Sequence, residues 1–332
     1  MGATGLVETR FFYTALSAAL FAFGVTVVDA YTRLSTEYVS CVTAYDCVQP
    51  QSMAEVGSDV SNAGLATLLA TATWQQRVHP FLAGALALIV ARLTYLGWTI
   101  RGRSLYIPVV VFLLLSTLIL PDVVDLAVRT QPWTQMLQVA GALAIVMLLW
   151  WLVLRGQRLW RSPAIDSGPT RALRIRVLVA IALLVLASAL GTWSSVSQGG
   201  LPCAEFPTCQ GSWWPEMDLE QAFAPSRLTQ SVPGILPVPV ATAMHMMHRL
   251  SALVALLYVG WLATHVFCTG NGGTLCRYGL VMLILLLLEV SFGIMAVVNQ
   301  LPIGLLLAHS VIGVLLLLTV VTLYHATRPR LG

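Results

Sequence analysis

Apolar residues in this chain come in long, nearly unbroken blocks separated by short polar stretches. The blocks lie near residues 11–29, 78–98, 105–127, 133–154, 174–196, 242–267, 278–298 and 303–324. A bilayer core of about 30 Å takes roughly 20 apolar residues to cross as helix. Each block is long enough for one crossing, so the pattern predicts eight transmembrane helices in an all-α integral membrane protein. The first block is too long, and too weakly basic at its start, to read as a cleaved signal peptide.

Composition agrees with the pattern. Hydrophobic residues make up 58% of the 332 and charged residues 10%, with a mean hydropathy of +0.82. A soluble domain of this length could not bury that much apolar surface. All 18 basic residues are arginine. With the N-terminus on the cytoplasmic side, the inner segments hold Arg10, Arg101, Arg103, Arg155, Arg158, Arg161, Arg171, Arg174, Arg176, Arg277, Arg328 and Arg330. The outer segments hold Arg33, Arg77, Arg129 and Arg227, with Arg249 just inside a span. That bias predicts two cytoplasmic termini. The net charge of +4 therefore reports topology, and nothing in the chain concentrates it into a nucleic-acid surface. Cys41 and Cys47 fall in the first long outer loop and Cys203 and Cys209 in the second, where an oxidising compartment permits two local disulfides. Cys268 and Cys276 fall on the inner side and read as free thiols.

The chain also repeats itself. The segments "YTRLSTEYVSCVTAYDCVQP" (31–50) and "SSVSQGGLPCAEFPTCQGSW" (194–213) each carry a C-x5-C pair after a first span. Each is followed by a span with a histidine near its outer end, His79 or His248, and each half closes on a span opened by proline, Pro132 or Pro302. Two tandem four-helix bundles are expected, residues 1–154 and 177–332, joined by a cytoplasmic linker over 155–176. An even number of spans per unit relates them by a pseudo-two-fold axis along the membrane normal.

His248 lies about six residues into the sixth span, and His309 about seven after Pro302. Both therefore sit roughly 10 Å below the outer edge, on helices running the same way. Two imidazoles at one depth suit both axial positions of a haem iron, whereas zinc would want three or four ligands. Two unrelated interfacial histidines are the plainer alternative. His245, one turn before His248, is open to three roles: a propionate contact, a hydrogen bond to a bound water, or a lining of the outer mouth. Arg249 is suited to pair with a haem propionate. His265 and His325 lie near inner span ends, as ordinary interfacial histidines do.

The stretch "LPCAEFPTCQGSWWPEMDLEQAF" (201–223), with "MHMMHRLSALV", "LPIGLLLAHSVIG" and the first-loop "YTRLS" and C-x5-C, closely resembles the haem A synthase family. Members oxidise a methyl group of haem O to a formyl group, making haem A for cytochrome oxidase. The resemblance runs over nearly the whole chain and implies a bacterial-type plasma membrane location. It implies haem b on His248 and His309, and a substrate haem, haem O or haem A, in the first half. Haem O synthase, cytochrome oxidase and a second copy of the chain are the protein partners it implies.

The first half departs from the family pattern. The family's W-x-E-x-x-H-R reads "WQQRVHP" here, with Trp74 and His79 in place, Gln76 for the glutamate and Pro80 for the arginine. The second first-half histidine falls, by count from Pro132 and Trp150, on Gln138. Glutamine cannot exchange a proton as a carboxylate does, and its amide oxygen is a weak iron ligand. Met136 is a conceivable soft substitute ligand, though such a methionine is more often packing, and Arg77 could replace the propionate partner lost at Pro80. Glu289 stands where the family usually has glutamine, in a Q-x-x-x-G pattern, and is either functional or a neutral acid bonding as glutamine would. Three functions are therefore open: a haem A synthase-like oxidase, an inactive relative holding a single haem b for electron transfer or oxidase assembly, or a transporter on a duplicated bundle. The matched cysteine loops and histidine depths make the transporter the weakest.

Overall fold

The computed structural model describes residues 3–42, 74–99, 109–112, 115, 132–156, 170–196, 201–224, 237–270 and 273–327. Eight named helices are found among them: α1 (Ala3–Val42), α2 (Trp74–Thr99), α3 (Pro132–Gly156), α4 (Thr170–Val196), α5 (Leu219–Ala222), α6 (Val238–Thr269), α7 (Thr274–Val298) and α8 (Ile303–Ala326). All but the four-residue α5 are long and apolar enough to cross a membrane, giving 7 candidate spans among the described residues. The chain is a multi-pass membrane protein. Of the span expected over 105–127, only 109–112 and 115 are described, all of them helical; the rest lies outside the described residues.

Helix is the form these blocks must take, because lipid offers no partner for a free N–H or C=O. Several hydroxyls inside the spans donate back to a carbonyl of the preceding turn, as Thr26 does to Ala22 O (2.9 Å) and Ser310 to Leu306 O (2.9 Å). Outward faces are apolar. Phe81, Leu88 and Tyr95 recur every seven residues along α2 and are all well exposed, which is a lipid-facing stripe.

Helix ends depart from the hydropathy pattern at three places. α1 runs on to Val42, so Cys41 belongs to its last turn rather than to a loop. α4 starts at Thr170, inside the segment expected as linker. Its early turns are anchored: Arg174 donates to Tyr324 Oη (3.1 Å) and lies over that ring, and Arg176 lies over Trp261 (5.3 Å). α6 begins at Val238, with Pro237 as its N-cap and a second proline in the first turn, where a missing N–H costs nothing.

In the C-terminal half, α4 packs on α6, α6 on α7, α7 on α8, and α8 back on α4. That closes a four-helix ring in which α6 and α8 stand on one diagonal and α4 and α7 on the other. Its core holds Val177, Ala180, Val259, Leu262, Met282, Leu286, Leu316 and Val320. α6 and α7 touch backbone to backbone, and a Cβ on Gly279 would lie 2.7 Å from Ala263 O. In the N-terminal half, α1 packs on α2 and α3 around Ala15, Ala18, Ala22, Leu86, Val90 and Leu149. The halves meet where α1 and α3 pack on α8, and α3 on α4. Trp150 Nε1–H donates to Thr322 Oγ1 (2.8 Å) across that seam.

Candidate functional site

His248 on α6 and His309 on α8 face each other across the ring diagonal, with ring centroids 6.4 Å apart and planes inclined at 79°. The two rings are held alike. His248 Nδ1 donates to Ala187 O of α4 at 3.1 Å, and His309 Nδ1 donates to Glu289 O of α7 at 3.0 Å. A carbonyl can only accept, so Nδ1 carries the proton in both rings and Nε2 keeps its lone pair. Among the described residues neither Nε2 has a hydrogen-bond partner.

Each ring also lies against a glycine four residues beyond its carbonyl. A Cβ on Gly191 would meet His248 Cε1 at 2.9 Å, and one on Gly293 would meet His309 Cε1 at 3.1 Å. These glycines were not singled out from the sequence, although Gly293 closes the Q-x-x-x-G-like pattern that begins at Glu289. The signal for Gly191 is a lone glycine near the C-terminal end of an apolar span, which in membrane helices marks close approach.

The donor set fits a haem iron. Iron–nitrogen bonds of about 2 Å, with roughly 1 Å more from nitrogen to ring centre on each side, sum to about 6 Å between centroids. Among the described residues no group of three or more His, Cys, Asp or Glu could hold a metal ion.

Glu289 enters the same neighbourhood from α7. Its Oε1 is 3.4 Å from His309 Nδ1, and its Oε2 is buried without a hydrogen-bond partner among the described residues. Gly313 makes room for it, since a Cβ there would lie 2.8 Å from Oε1. His245 is buried, and its Nε2 likewise has no partner among the described residues.

Arg249, expected to pair with a haem propionate, donates to backbone carbonyls in this structure. Its NH1 donates to Thr208 O (3.1 Å), and its NH2 donates to Glu205 O (2.7 Å) and Cys203 O (3.3 Å). Phe206 lies beneath the guanidinium at 5.7 Å. The loop over 201–224 folds back onto the N-terminal half of α6 and offers three carbonyls within reach. Cys203 and Cys209 are bonded to each other in this loop. Beyond them the chain turns at Gln210 and Gly211, both at positive φ, with reciprocal backbone bonds between Cys209 and Ser212. Gln210 Nε2 ties the turn to Thr242 Oγ1 of α6 (3.0 Å), and Trp193 Nε1 ties α4 to Ala222 O (3.0 Å).

The first-half candidates are less fully described. α2 carries Gln76, Arg77, His79 and Pro80 in its first two turns, and their side chains lie outside the described part of the structure. The side chain of Cys41 does too, and Cys47 lies wholly outside the described residues. Gln138 is half-buried on α3. Met136 packs against the cluster of Trp193, Ala222, Val240 and Met244, which is a packing role. At the opposite end of the bundle, Arg176 NH1 donates to His265 Nε2 (3.3 Å) while Trp261 stacks on that ring, and Trp151 meets His325 edge-on.

Two comparisons bear on this arrangement. The chain matches the COX15-CtaA family, described as cytochrome oxidase assembly protein, over residues 12–321. It is 26% identical over 314 residues to the Heme A synthase of Shewanella oneidensis, covering 92% of this chain and 93% of that protein. A match of that extent takes in both halves, and the chain therefore belongs to the haem A synthase family, COX15-CtaA, of cytochrome oxidase assembly proteins.

Proposed function

We propose that this chain works in making haem A for cytochrome oxidase, and that its C-terminal half holds a haem b between His248 and His309. The observation that carries the reading is the pair itself. Two imidazoles from opposite helices, each with Nδ1–H bound to a backbone carbonyl, keep their Nε2 lone pairs, and their ring centres are 6.4 Å apart, a spacing that suits one iron. Haem bound there would supply one-electron chemistry. The protein's own part is to hold both rings in one tautomer and to surround them with apolar helix, which excludes water. The family and the Shewanella relative support the wider role.

On this reading the first half takes haem O near His79, and the overall change is oxidation of a methyl group to a formyl group. The chain is then two tandem four-helix bundles with both termini on the inner side, an orientation supported by the arginine distribution. Haem O synthase and cytochrome oxidase are its proposed partners before and after that step.

Gln76 and Gln138 favour a second reading, a relative that keeps only the C-terminal haem b and serves electron transfer or oxidase assembly. Pigment extraction separates the two. Haem A formed in cells that supply haem O supports the oxidase, and Gln76→Glu with Gln138→His should raise its yield. A single haem b equivalent, no haem A, and indifference to His79→Ala support the second. Absence of any extractable haem rejects both.

A further inference from the structure

The two ring planes are nearly perpendicular, and the features that make them so are backbone features. We infer that Gly191 and Gly293 are positioning residues that set the plane of each imidazole, and through it the electronic structure of the iron between them. The inference rests on the proposed haem site and goes beyond it, from which residues bind to how they are oriented.

An imidazole held only by its Cβ and an iron can still turn about the iron–nitrogen bond. Here each ring has two further constraints. One is the Nδ1–H bond to Ala187 O or Glu289 O. The other is the glycine one turn further along the same helix, against which the Cε1 edge rests. Carbonyl and glycine four residues apart form one slot on the helix surface, because in an α-helix those positions lie one above the other. The slot occurs twice, on α4 for the α6 ligand and on α7 for the α8 ligand. Those hairpins stand on opposite sides of the four-helix ring, and each slot fixes its own ring independently. The resulting angle is 79°.

That angle has a chemical consequence. A ring nitrogen donates π density into the iron d orbital lying perpendicular to the ring plane. Parallel rings raise one of the two such orbitals and split the pair, whereas crossed rings raise both and leave them nearly equal in energy. A low-spin ferric centre with near-equal orbitals has strongly anisotropic magnetism, and hydrogen bonding around the axial ligands is among the levers by which a protein sets haem properties.

The fit at the slots is unequal. A Cβ at position 191 would fall 2.9 Å from Cε1 of His248, closer than atoms pack, and 3.1 Å from its Nδ1, while at position 293 the corresponding distances are 3.1 and 3.3 Å, tight but not forbidden. Gly191→Ala must turn or push the His248 ring, and Gly293→Ala demands a smaller adjustment. Gly304 on α8 has open space at its Cβ position and serves as the control.

The test is electron paramagnetic resonance on the oxidised, purified full chain. The expected wild-type spectrum is a single low-field feature of the highly anisotropic low-spin type. Gly191→Ala should move it toward a rhombic, three-line pattern with optical haem content retained, Gly293→Ala should move it less, and Gly304→Ala should leave it in place. A rhombic wild-type spectrum overturns the inference while leaving the haem site standing. An anisotropic spectrum unmoved by either slot variant overturns the role of the glycines. If Gly191→Ala yields no folded protein, the wild-type spectrum and Gly293→Ala still decide. Wild-type protein without haem overturns the proposed site and this inference with it.

Discussion

Arg249→Leu removes a guanidinium that makes three donations to the loop over 201–224, to Thr208 O, Glu205 O and Cys203 O. A hydrogen bond from a charged donor contributes about 1.5–3 kcal/mol when buried. Arg249 is only half-buried, so solvent screening brings the combined figure to about 2–4 kcal/mol. Leucine keeps part of the packing of the aliphatic stem on α6, which isolates the polar loss. The disulfide and the Gln210–Thr242 bond remain, so the loop should loosen locally without the spans unfolding. The assay is hydrogen–deuterium exchange of the Cys209, Gly211 and Ser212 amides, each bonded within the loop. Exchange should rise roughly 30- to 1,000-fold there and stay unchanged in α7 and α8. Unchanged exchange in the loop, together with loss of haem, would refute the anchoring role and favour a propionate contact.

Other substitutions test the packing around the ring. Gly279→Ala sets a methyl group against α6 backbone at Ala263 and Phe267, which cannot move aside cheaply, so thermal unfolding in detergent should show a loss of about 2 kcal/mol. Gly313→Ala displaces the Glu289 carboxyl, and its cost should fall by at least about 0.5 kcal/mol when combined with Glu289→Ala, as a double-mutant cycle would read. Gln300→Gly, in the α7–α8 turn at φ 62°, should gain about 1 kcal/mol by removing left-handed strain, seen as a raised midpoint in the same melts.

Much of the architecture was legible because hydropathy needs only local sequence. Seven of the eight expected spans coincide with helices, and the common depth of His248 and His309 followed from helix rise alone. What escaped depends on neighbours brought together across loops. Nothing along the chain says that α6 and α8 stand on one diagonal, or that Ala187 and Glu289 lend their carbonyls to His248 and His309. A glycine in a leucine-rich span has no periodic signature, so Gly191 and Gly313 passed unnoticed. That Arg249 would reach three backbone carbonyls could not be read either: propionate and carbonyl both present oxygen to a guanidinium, and the loop contact depends on where the loop folds. The early start of α4 was hidden by the arginines of its first turns, which read as polar linker until Tyr324 and Trp261 are seen beneath them.

The central claim is that one haem iron is shared by His248 and His309, and the optical spectrum of purified protein tests it most directly. Wild-type protein should show a low-spin bis-imidazole haem b, and His248→Ala and His309→Ala should each abolish that signal while helix content is preserved. Full retention of the low-spin spectrum in either variant would contradict it.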